Sequence, residues 1–147
     1  MSNTLKDRII GSWTLVSWTR VVDGVEDFGM FGADPLGLIH YAPEGRVFAS
    51  LMRRSRTNFP TEDIAATSVG ERAAAYESYV GYCGRYTVNE ADGSVAHHIE
   101  ISSFPNWTGT VQTRFVEFSG ERMSLTTPPI LRGGKKAAVI LTWERPA

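Results

Sequence analysis

Short runs of β-forming residues, each ended by a turn of glycine, aspartate or proline, dominate this sequence. The runs lie at residues 11–22, 36–41, 47–53, 82–89, 95–102, 110–118, 122–127 and 137–145. Typical turn sequences separate them, among them Asp23-Gly24, Pro43-Glu44-Gly45, Asp92-Gly93 and Ser119-Gly120. About eight strands in this order predict an antiparallel up-and-down meander, and closure into a β-barrel would remove its two open edges.

Two other segments have helical rather than β character. Residues 3–10 predict a short N-terminal helix, and residues 71–79, rich in alanine and long side chains, predict one inserted helix. Residues 25–34, 55–70 and 131–136 are expected to be loops. The 147 residues suit one domain, residues 1–147, that buries a core without a metal ion, and the single Cys83 permits no internal disulfide. The fold class is therefore all-β.

The charge distribution excludes several classes of partner. Lysine and arginine together number 15 and aspartate and glutamate 16, mixed along the chain, for a net charge of −1. Nucleic-acid and membrane binders need a basic stripe or a polybasic patch, so we expect neither partner. The first residues lack the apolar run of a signal peptide, and no stretch has the length of a transmembrane helix, which predicts a cytoplasmic protein.

Pairing across the turns predicts which side chains share a face of the sheet. Across Asp92-Gly93, His97 should lie near Tyr86 and His98 near Arg85. Pairing the next two strands across the loop at residues 103–109 in the same way places His98 and Glu100 near two polar residues, Gln112 and Arg114. A register slip of one residue would exchange the two faces, so this pairing is a hypothesis.

One of the two faces is apolar and the other is charged. The apolar face would hold Tyr82, Tyr86, Val88, Val95, His97, Ile99, Ile101, Val111 and Phe115. The charged face would hold Arg85, Thr87, His98, Glu100, Gln112 and Arg114. Burying several charges costs several kcal/mol per ion, so we expect the apolar face to line the barrel. A polar lumen is the alternative, and it is what an enzyme would need.

Several motifs resemble one protein family along nearly the whole chain. They are Pro35-Leu36-Gly37-Leu38-Ile39-His40-Tyr41, Gly84-Arg85-Tyr86, His97-His98-Ile99-Glu100-Ile101-Ser102, Phe104-Pro105-Asn106-Trp107, and Gly109-Thr110 with Gln112 and Arg114. The chain is similar to the bacterial and fungal lipocalin-like domain family. The resemblance implies a barrel closed at one end by Trp13 with Arg145 packed on its ring. Related barrels include carriers of hydrophobic ligands and a few cyclases or isomerases, and some members accompany secondary-metabolism genes.

The candidate ligand-binding residues follow from the expected lumen and its mouth. Tyr82, Tyr86, His97 and Phe115 would line a hydrophobic pocket. Trp107 lies in a hairpin loop, and loops at a barrel mouth commonly bind ligands. Two further candidates are His40, in the family-like segment 35–41, and Arg54, whose basic loop could attract a carboxylate or could simply be solvated.

The candidate catalytic residues are His97, His98, Glu100 and Arg114. His97 could be a general base in the lumen, or equally a buried neutral imidazole hydrogen-bonded to a tyrosine. Glu100 could transfer protons while Arg114 holds an anionic group, or these residues could form a salt-bridge ladder on the outer wall. His97 and His98 point to opposite faces, so we expect no metal site, and no motif indicates a cofactor.

Three functions are compatible with these residues. The first is a small-molecule-binding protein that holds a hydrophobic or aromatic ligand, with the inserted helix and residues 55–70 as a lid. The second is a cofactor-independent isomerase, cyclase or lyase that acts by acid–base catalysis on a small organic metabolite. The third is a structural protein with a filled barrel. The outer wall could also support a homodimer.

Overall fold

The computed structural model describes residues 3–147, and its strands form a closed antiparallel barrel. The strands are β1 (Gly11–Val22), β2 (Val25–Asp27), β3 (Leu36–Tyr41), β4 (Arg46–Met52), β5 (Tyr79–Asn89), β6 (Ser94–Ser102), β7 (Val111–Ser119), β8 (Arg122–Thr126), β9 (Ile130–Arg132), β10 (Lys135–Ala137) and β11 (Val139–Glu144). Around the barrel the order is β1, β3, β4, β5, β6, β7, β8 and β11, and β11 pairs again with β1, where Trp18 lies opposite Leu141. The prediction of an eight-stranded up-and-down barrel is confirmed.

Two helices accompany the barrel, as predicted. The N-terminal helix α1 (Leu5–Ile9) begins after Thr4, whose side chain accepts the Asp7 N–H. The inserted helix α2 (Val69–Glu77) begins after Ser68, which forms a capping box with Glu71. This box places the helix start two residues before the predicted segment 71–79, because the cap supplies partners for the first backbone N–H groups. Two expected loops contain strands: residues 131–136 belong to the β9–β10 hairpin, which spans residues 130–137, and residues 25–34 begin with β2.

One end of the barrel is closed by α1 and Trp13. The indole N–H of Trp13 donates to the Ile9 carbonyl over 2.9 Å, and both residues are buried. The Arg145 guanidinium lies 3.7 Å from the centroid of the Trp13 ring and donates to the Ser12 and Arg8 carbonyls. The stacked pair that the resemblance implied is therefore present. Any opening to the lumen lies at the opposite end.

Two β-bulges change which side chains point inward. On β1, the register with β11 shifts between Leu15 and Ser17, so Trp13 and Leu15 point inward before the bulge and Trp18 after it. Between β5 and β6, the register shifts at Gly84, and Glu100 becomes the extra residue. Ile101 is consequently 68% exposed, although it was expected in the lumen.

The predicted register between β6 and β7 was wrong by three residues, an odd number that exchanges the two faces of β7. His97 lies opposite Gln112, and Val95 lies opposite Arg114. Arg114 therefore points into the barrel and is only 6% exposed, whereas Val111 and Phe115 lie on the outer surface, 54% and 44% exposed. The short 3₁₀ turn Pro105–Trp107 shapes the connecting loop and sets this register. The lumen is thus apolar on β6 and partly charged on β7.

Candidate functional site

The lumen contains a cavity of about 70 Å³ between the core and the open end of the barrel. Most of its wall is aromatic or aliphatic, formed by Trp18, Phe31, Ile39, Ala49, Leu51, Val80, Leu125, Ile130, Val139, Leu141 and Trp143. Its polar lining consists of Arg20, Tyr82, His97, Trp107, Arg114, Thr127 and Arg132. A mainly apolar wall with a few polar groups is typical of a site for a small organic ligand.

His97 is held between two tyrosines on the neighbouring wall. Its Nε2 is 2.7 Å from the Tyr41 hydroxyl, and its Nδ1 is 2.7 Å from the Tyr82 hydroxyl. Strand alternation brings the three side chains together, because Tyr41 on β3, Tyr82 on β5 and His97 on β6 all point inward. Tyr86 packs edge-on against Tyr41, with ring centroids 5.0 Å apart. Both imidazole nitrogens are therefore occupied.

Burial keeps these three groups uncharged. Desolvation lowers the pKa of His97 well below its usual value, and the nearby Arg114 and His98 lower it further. Desolvation also raises the pKa of Tyr41 well above 10, and it raises the pKa of Tyr82 despite the opposing charge of Arg114. Near neutral pH the cluster therefore consists of a neutral imidazole and two protonated phenols.

The buried hydroxyl of Tyr41 determines the direction of the hydrogen bonds. Within residues 3–147 its proton has only His97 Nε2 as an acceptor, and an unpaired buried hydroxyl costs about 1–3 kcal/mol. We therefore assign Tyr41 as donor to Nε2, which leaves the imidazole proton on Nδ1 to be donated to the Tyr82 oxygen. The Tyr82 proton is then free for an acceptor in the cavity.

Arg114 places a positive charge beside this cluster. Its Nη1 donates to the Thr113 carbonyl over 3.0 Å, and its charge acts on Tyr41, Tyr82 and His97. No ion pair in residues 3–147 includes Arg114. A buried arginine without a carboxylate is unusual, because removing its charge from water is expensive unless a partner compensates.

Two further arginines lie in the cavity wall. Arg20 on β1 forms an ion pair with Asp27 over 2.7 Å. The Arg132 guanidinium lies 5.3 Å from the Trp18 ring centroid, and desolvation lowers the pKa of Arg132. The cavity wall itself contains no aspartate or glutamate of the described chain. Its electrostatic character is therefore positive.

The indole of Trp143 contributes a second unused donor. Its Nε1–H is buried and has no hydrogen-bond partner among residues 3–147. A buried donor without an acceptor costs about 1–3 kcal/mol. Trp143 lines the cavity, but its Nε1 is covered by protein, so the Tyr82 hydroxyl is the unpaired donor assigned to the cavity.

The predicted ligand-binding residues divide into two groups. Tyr82, His97 and Trp107 line the cavity, and Tyr86 lies behind Tyr41 with its hydroxyl donating to the Ala42 carbonyl. Three candidates do not line it: Phe115 on the outer surface, His40 bonded to Ser12 on the outer wall, and Arg54 paired with Asp34 at the rim. Residues 55–79, the expected lid formed by the loop 55–70 and the inserted helix 71–79, do not line the cavity either.

The predicted catalytic residues are also separated. His97 and Arg114 lie inside, whereas His98 and Glu100 lie on the outer wall. Glu100 accepts from Arg46 over 2.7 Å and from Arg85 over 3.3 Å, and His98 is 2.9 Å from the Thr87 hydroxyl. The salt-bridge ladder that was one interpretation of this group is thus present, without Arg114.

Sequence reasoning missed seven polar or aromatic residues of the site: Tyr41, Trp143, Arg20, Arg132, Trp18, Phe31 and Thr127. The alternation Ile39-x-Tyr41 and Leu141-x-Trp143 would have placed the first two on an inward face. Arg20 could not be placed without the β1 bulge, and Arg132 lies in a hairpin that resembled a basic loop. Among residues 3–147, no cluster of histidine, cysteine, aspartate or glutamate is arranged to hold a metal ion, and no helix could cross a membrane.

Comparison with known proteins identifies a family that this chain matches and a protein that is similar to it in sequence. Residues 10–146 match the family described as a lipocalin-like domain. The chain is also 32% identical over 104 residues to the 4'-hydroxy-3'-methoxypropiophenone carrier protein ppsC of Aspergillus oryzae, a match that covers 66% of this chain and 94% of the relative. The closed eight-stranded barrel agrees with both findings. The chain therefore belongs to the lipocalin-like domain family.

Proposed function

We propose that this protein is a carrier that binds a small aromatic molecule in the lumen of the barrel. The observation that carries the proposal is the cavity itself, an apolar and aromatic chamber into which Tyr82 and Arg114 direct hydrogen-bond donors. The name of the relative supports it, because that protein carries an aromatic ketone with a phenolic hydroxyl. A small organic metabolite is also the kind of ligand expected if this chain, like some members of the lipocalin-like family, accompanies secondary-metabolism genes.

The cavity lining offers contacts for both the aromatic ring and the oxygen atoms of such a ligand. Trp18, Phe31 and Trp143 offer aromatic faces and edges to a ligand ring, and aromatic contacts stabilise a complex beyond the area they bury. A ketone or phenol oxygen could accept from Tyr82 and Arg114. Both interactions are stronger inside the barrel than in water, because the lumen excludes most of the solvent.

Binding requires the cavity to expand. Its volume of about 70 Å³ is smaller than the roughly 150 Å³ of a protein cavity that accommodates benzene. Trp107 is the side chain best placed to move, because it lies on a short 3₁₀ turn at the mouth and packs only edge-on against Tyr82 and Phe104, at 6.1 and 5.4 Å. We propose that its ring swings outward when a ligand enters.

The second candidate is the acid–base enzyme. The observation that favours it is the chain Tyr41–His97–Tyr82, which ends with a phenolic proton in the cavity. In this interpretation Tyr82 is the proton donor to the substrate, and His97 acts through Tyr82 because both of its own nitrogens are occupied. Conversion of the bound compound would distinguish an enzyme from a carrier.

Calorimetric titration with 4'-hydroxy-3'-methoxypropiophenone and related aromatic ketones tests the carrier proposal. Ala49→Phe fills the lumen and should abolish binding, since Ala49 lines the cavity. The neighbouring Phe48 points outward, so Phe48→Ala is the matched control and should bind like the parent protein. Near-ultraviolet circular dichroism checks that both variants fold. Equal binding by both variants would overturn the proposal, and chromatography of the recovered ligand shows whether it was converted.

A further inference from the structure

We propose that Arg114 makes the site selective for aromatic anions, so that the ligand is held through the negatively charged oxygen of an ionised phenol or a carboxylate. This inference rests on the proposed function and deepens it, because it names the charge state of the ligand. Three observations carry it: the burial of Arg114, the absence of a counter-ion for it among residues 3–147, and the excess of donors around the cavity.

The contrast between Arg114 and the other arginines is the first step. Arg46, Arg54, Arg85 and Arg122 are largely exposed, and each forms an ion pair with a carboxylate. Arg114 is 6% exposed and has none among residues 3–147. Six other arginines of residues 3–147 also form no ion pair, but they are exposed or only partly buried, so water screens their charges, whereas Arg114 is buried. The missing partner is best supplied by a ligand.

The surroundings of Arg114 are the second step. The titratable groups that face it are Tyr41 on β3, Tyr82 on β5 and His97 on β6, and all three are neutral. The remaining charged side chains of the cavity wall are the cations Arg20 and Arg132. Asp27, the nearest acid to these, is already paired with Arg20. An entering anion therefore meets no repulsive carboxylate from the wall.

The donors of the cavity are the third step. Arg114 has N–H groups beyond the one that donates to the Thr113 carbonyl, and Tyr82 has a free proton. Hydrogen bonds to an ionised acceptor are about twice as strong as those between neutral groups. We therefore expect an aromatic anion to bind about 10- to 100-fold more tightly than its neutral isostere.

Two matched pairs of ligands test the inference. The first is 4'-hydroxy-3'-methoxypropiophenone against 3',4'-dimethoxypropiophenone, which cannot ionise. The second is 4-methoxycinnamate against its amide. Each is titrated by calorimetry into the parent protein, Arg114→Met and Arg114→Lys. In the first pair, the absorbance of the bound phenol is also followed with pH, since its phenolate absorbs at longer wavelength.

The parent protein and Arg114→Lys should prefer the anion, and the parent should lower the pKa of the bound phenol. Arg114→Met should bind both members of each pair equally and leave the phenol pKa unchanged. A preference in the first pair alone identifies a phenolate site, and one in the second pair alone a carboxylate site. Equal binding of both members by the parent protein would overturn the inference while leaving the carrier proposal intact, whereas no binding of any compound would overturn the carrier proposal.

The free protein provides a readout that does not depend on the choice of ligand. Because Arg114 is a buried charge without a counter-ion, Arg114→Met should raise the melting temperature of the unliganded protein by about 3 °C or more. Arg85→Met on the outer wall is the control and should not raise it, because it removes an ion pair with Glu100. A lower melting temperature for Arg114→Met would show that Arg114 serves the fold, and would contradict the inference.

Discussion

At the scale of single residues, His97 is the group most changed by folding. Desolvation lowers its pKa well below the 6.5 of an exposed histidine. Below about pH 6.5 the unfolded chain therefore binds a proton that the folded protein does not, and stability falls as the pH decreases. We expect the free energy of unfolding to decrease over the interval below pH 6.5, by at most about 1.4 kcal/mol per pH unit from this one group, measured by urea denaturation.

A substitution assigns this pH dependence to His97. His97→Gln retains groups that can bond to Tyr41 and Tyr82 but does not titrate, so its stability should be nearly constant over the same interval. His98→Gln, one residue away on the outer wall, should keep the dependence of the parent protein. A slope that persists in His97→Gln would show that another group is responsible.

The two tyrosines bonded to His97 should respond differently to loss of their hydroxyls. Tyr41→Phe leaves the buried Nε2 of His97 without a partner, so we expect a loss of about 1–3 kcal/mol in the free energy of unfolding. Tyr82→Phe leaves the buried Nδ1–H of His97 without its acceptor and should cost a similar amount, but because it also removes the donor that faces the cavity, it alone should weaken ligand binding, by about 5- to 10-fold. Denaturation measures the loss of stability and calorimetry the loss of affinity. Weaker binding in Tyr41→Phe but not in Tyr82→Phe would contradict the assigned direction of the hydrogen bonds.

The position of a single side chain could be predicted where its polarity agrees with its burial in the structure. The sequence placed His97 beside tyrosines in the lumen because strand alternation and apolar neighbours both point there. The same preference for apolar residues in the lumen placed Phe115 inside the barrel and Arg114 on its outer wall. Both placements were wrong. The cost of burying an unpaired charge argues for the opposite arrangement, so no rule of hydrophobicity predicts Arg114 in the lumen. Such a violation of a local rule is expected where a protein binds something.

At the scale of secondary-structure elements, the bulge between β5 and β6 sets the shape of the wall next to the site. A Cβ on Gly84 would lie 1.9 Å from the His98 carbonyl oxygen, a backbone atom that cannot easily move. Gly84→Ala should therefore cost at least about 2 kcal/mol of stability, or prevent folding. Gly70→Ala in α2 meets no atom within 4 Å and should stabilise the protein by about 0.5–1 kcal/mol. Thermal melts compare the two, and equal effects would contradict this account of the bulge.

The bounds of the strands were more predictable than the irregularities within them. The sequence predicted β1 and β3 with their observed ends, because turn residues flank both. It did not predict the bulges, since an extra residue leaves the alternation of a short strand almost unchanged. It also missed the β9–β10 hairpin, whose three-residue strands are too short for a periodic pattern. The candidate site was therefore harder to predict than the fold, because bulges and short hairpins shape its wall.

At the scale of the whole molecule, the barrel has one closed end and one end that carries the site. Trp13, Arg145 and α1 seal the first, as the resemblance to the lipocalin-like family implied. The cavity lies toward the second, where Trp107 and the arginines gather. The family membership thus accounts for the scaffold, and the proposed ligand and its charge are argued from the side chains of the lumen.

The four tryptophans allow the most direct test of a ligand inside the lumen. Trp18, Trp107 and Trp143 line the cavity, whereas Trp13 lies in the closed end with its N–H bonded to the Ile9 carbonyl. The measurement is a ¹⁵N–¹H NMR titration of the indole N–H signals with 4'-hydroxy-3'-methoxypropiophenone. Binding in the lumen predicts saturable shifts for Trp18, Trp107 and Trp143 and little change for Trp13. Saturable binding that leaves the three cavity signals unmoved would contradict the account.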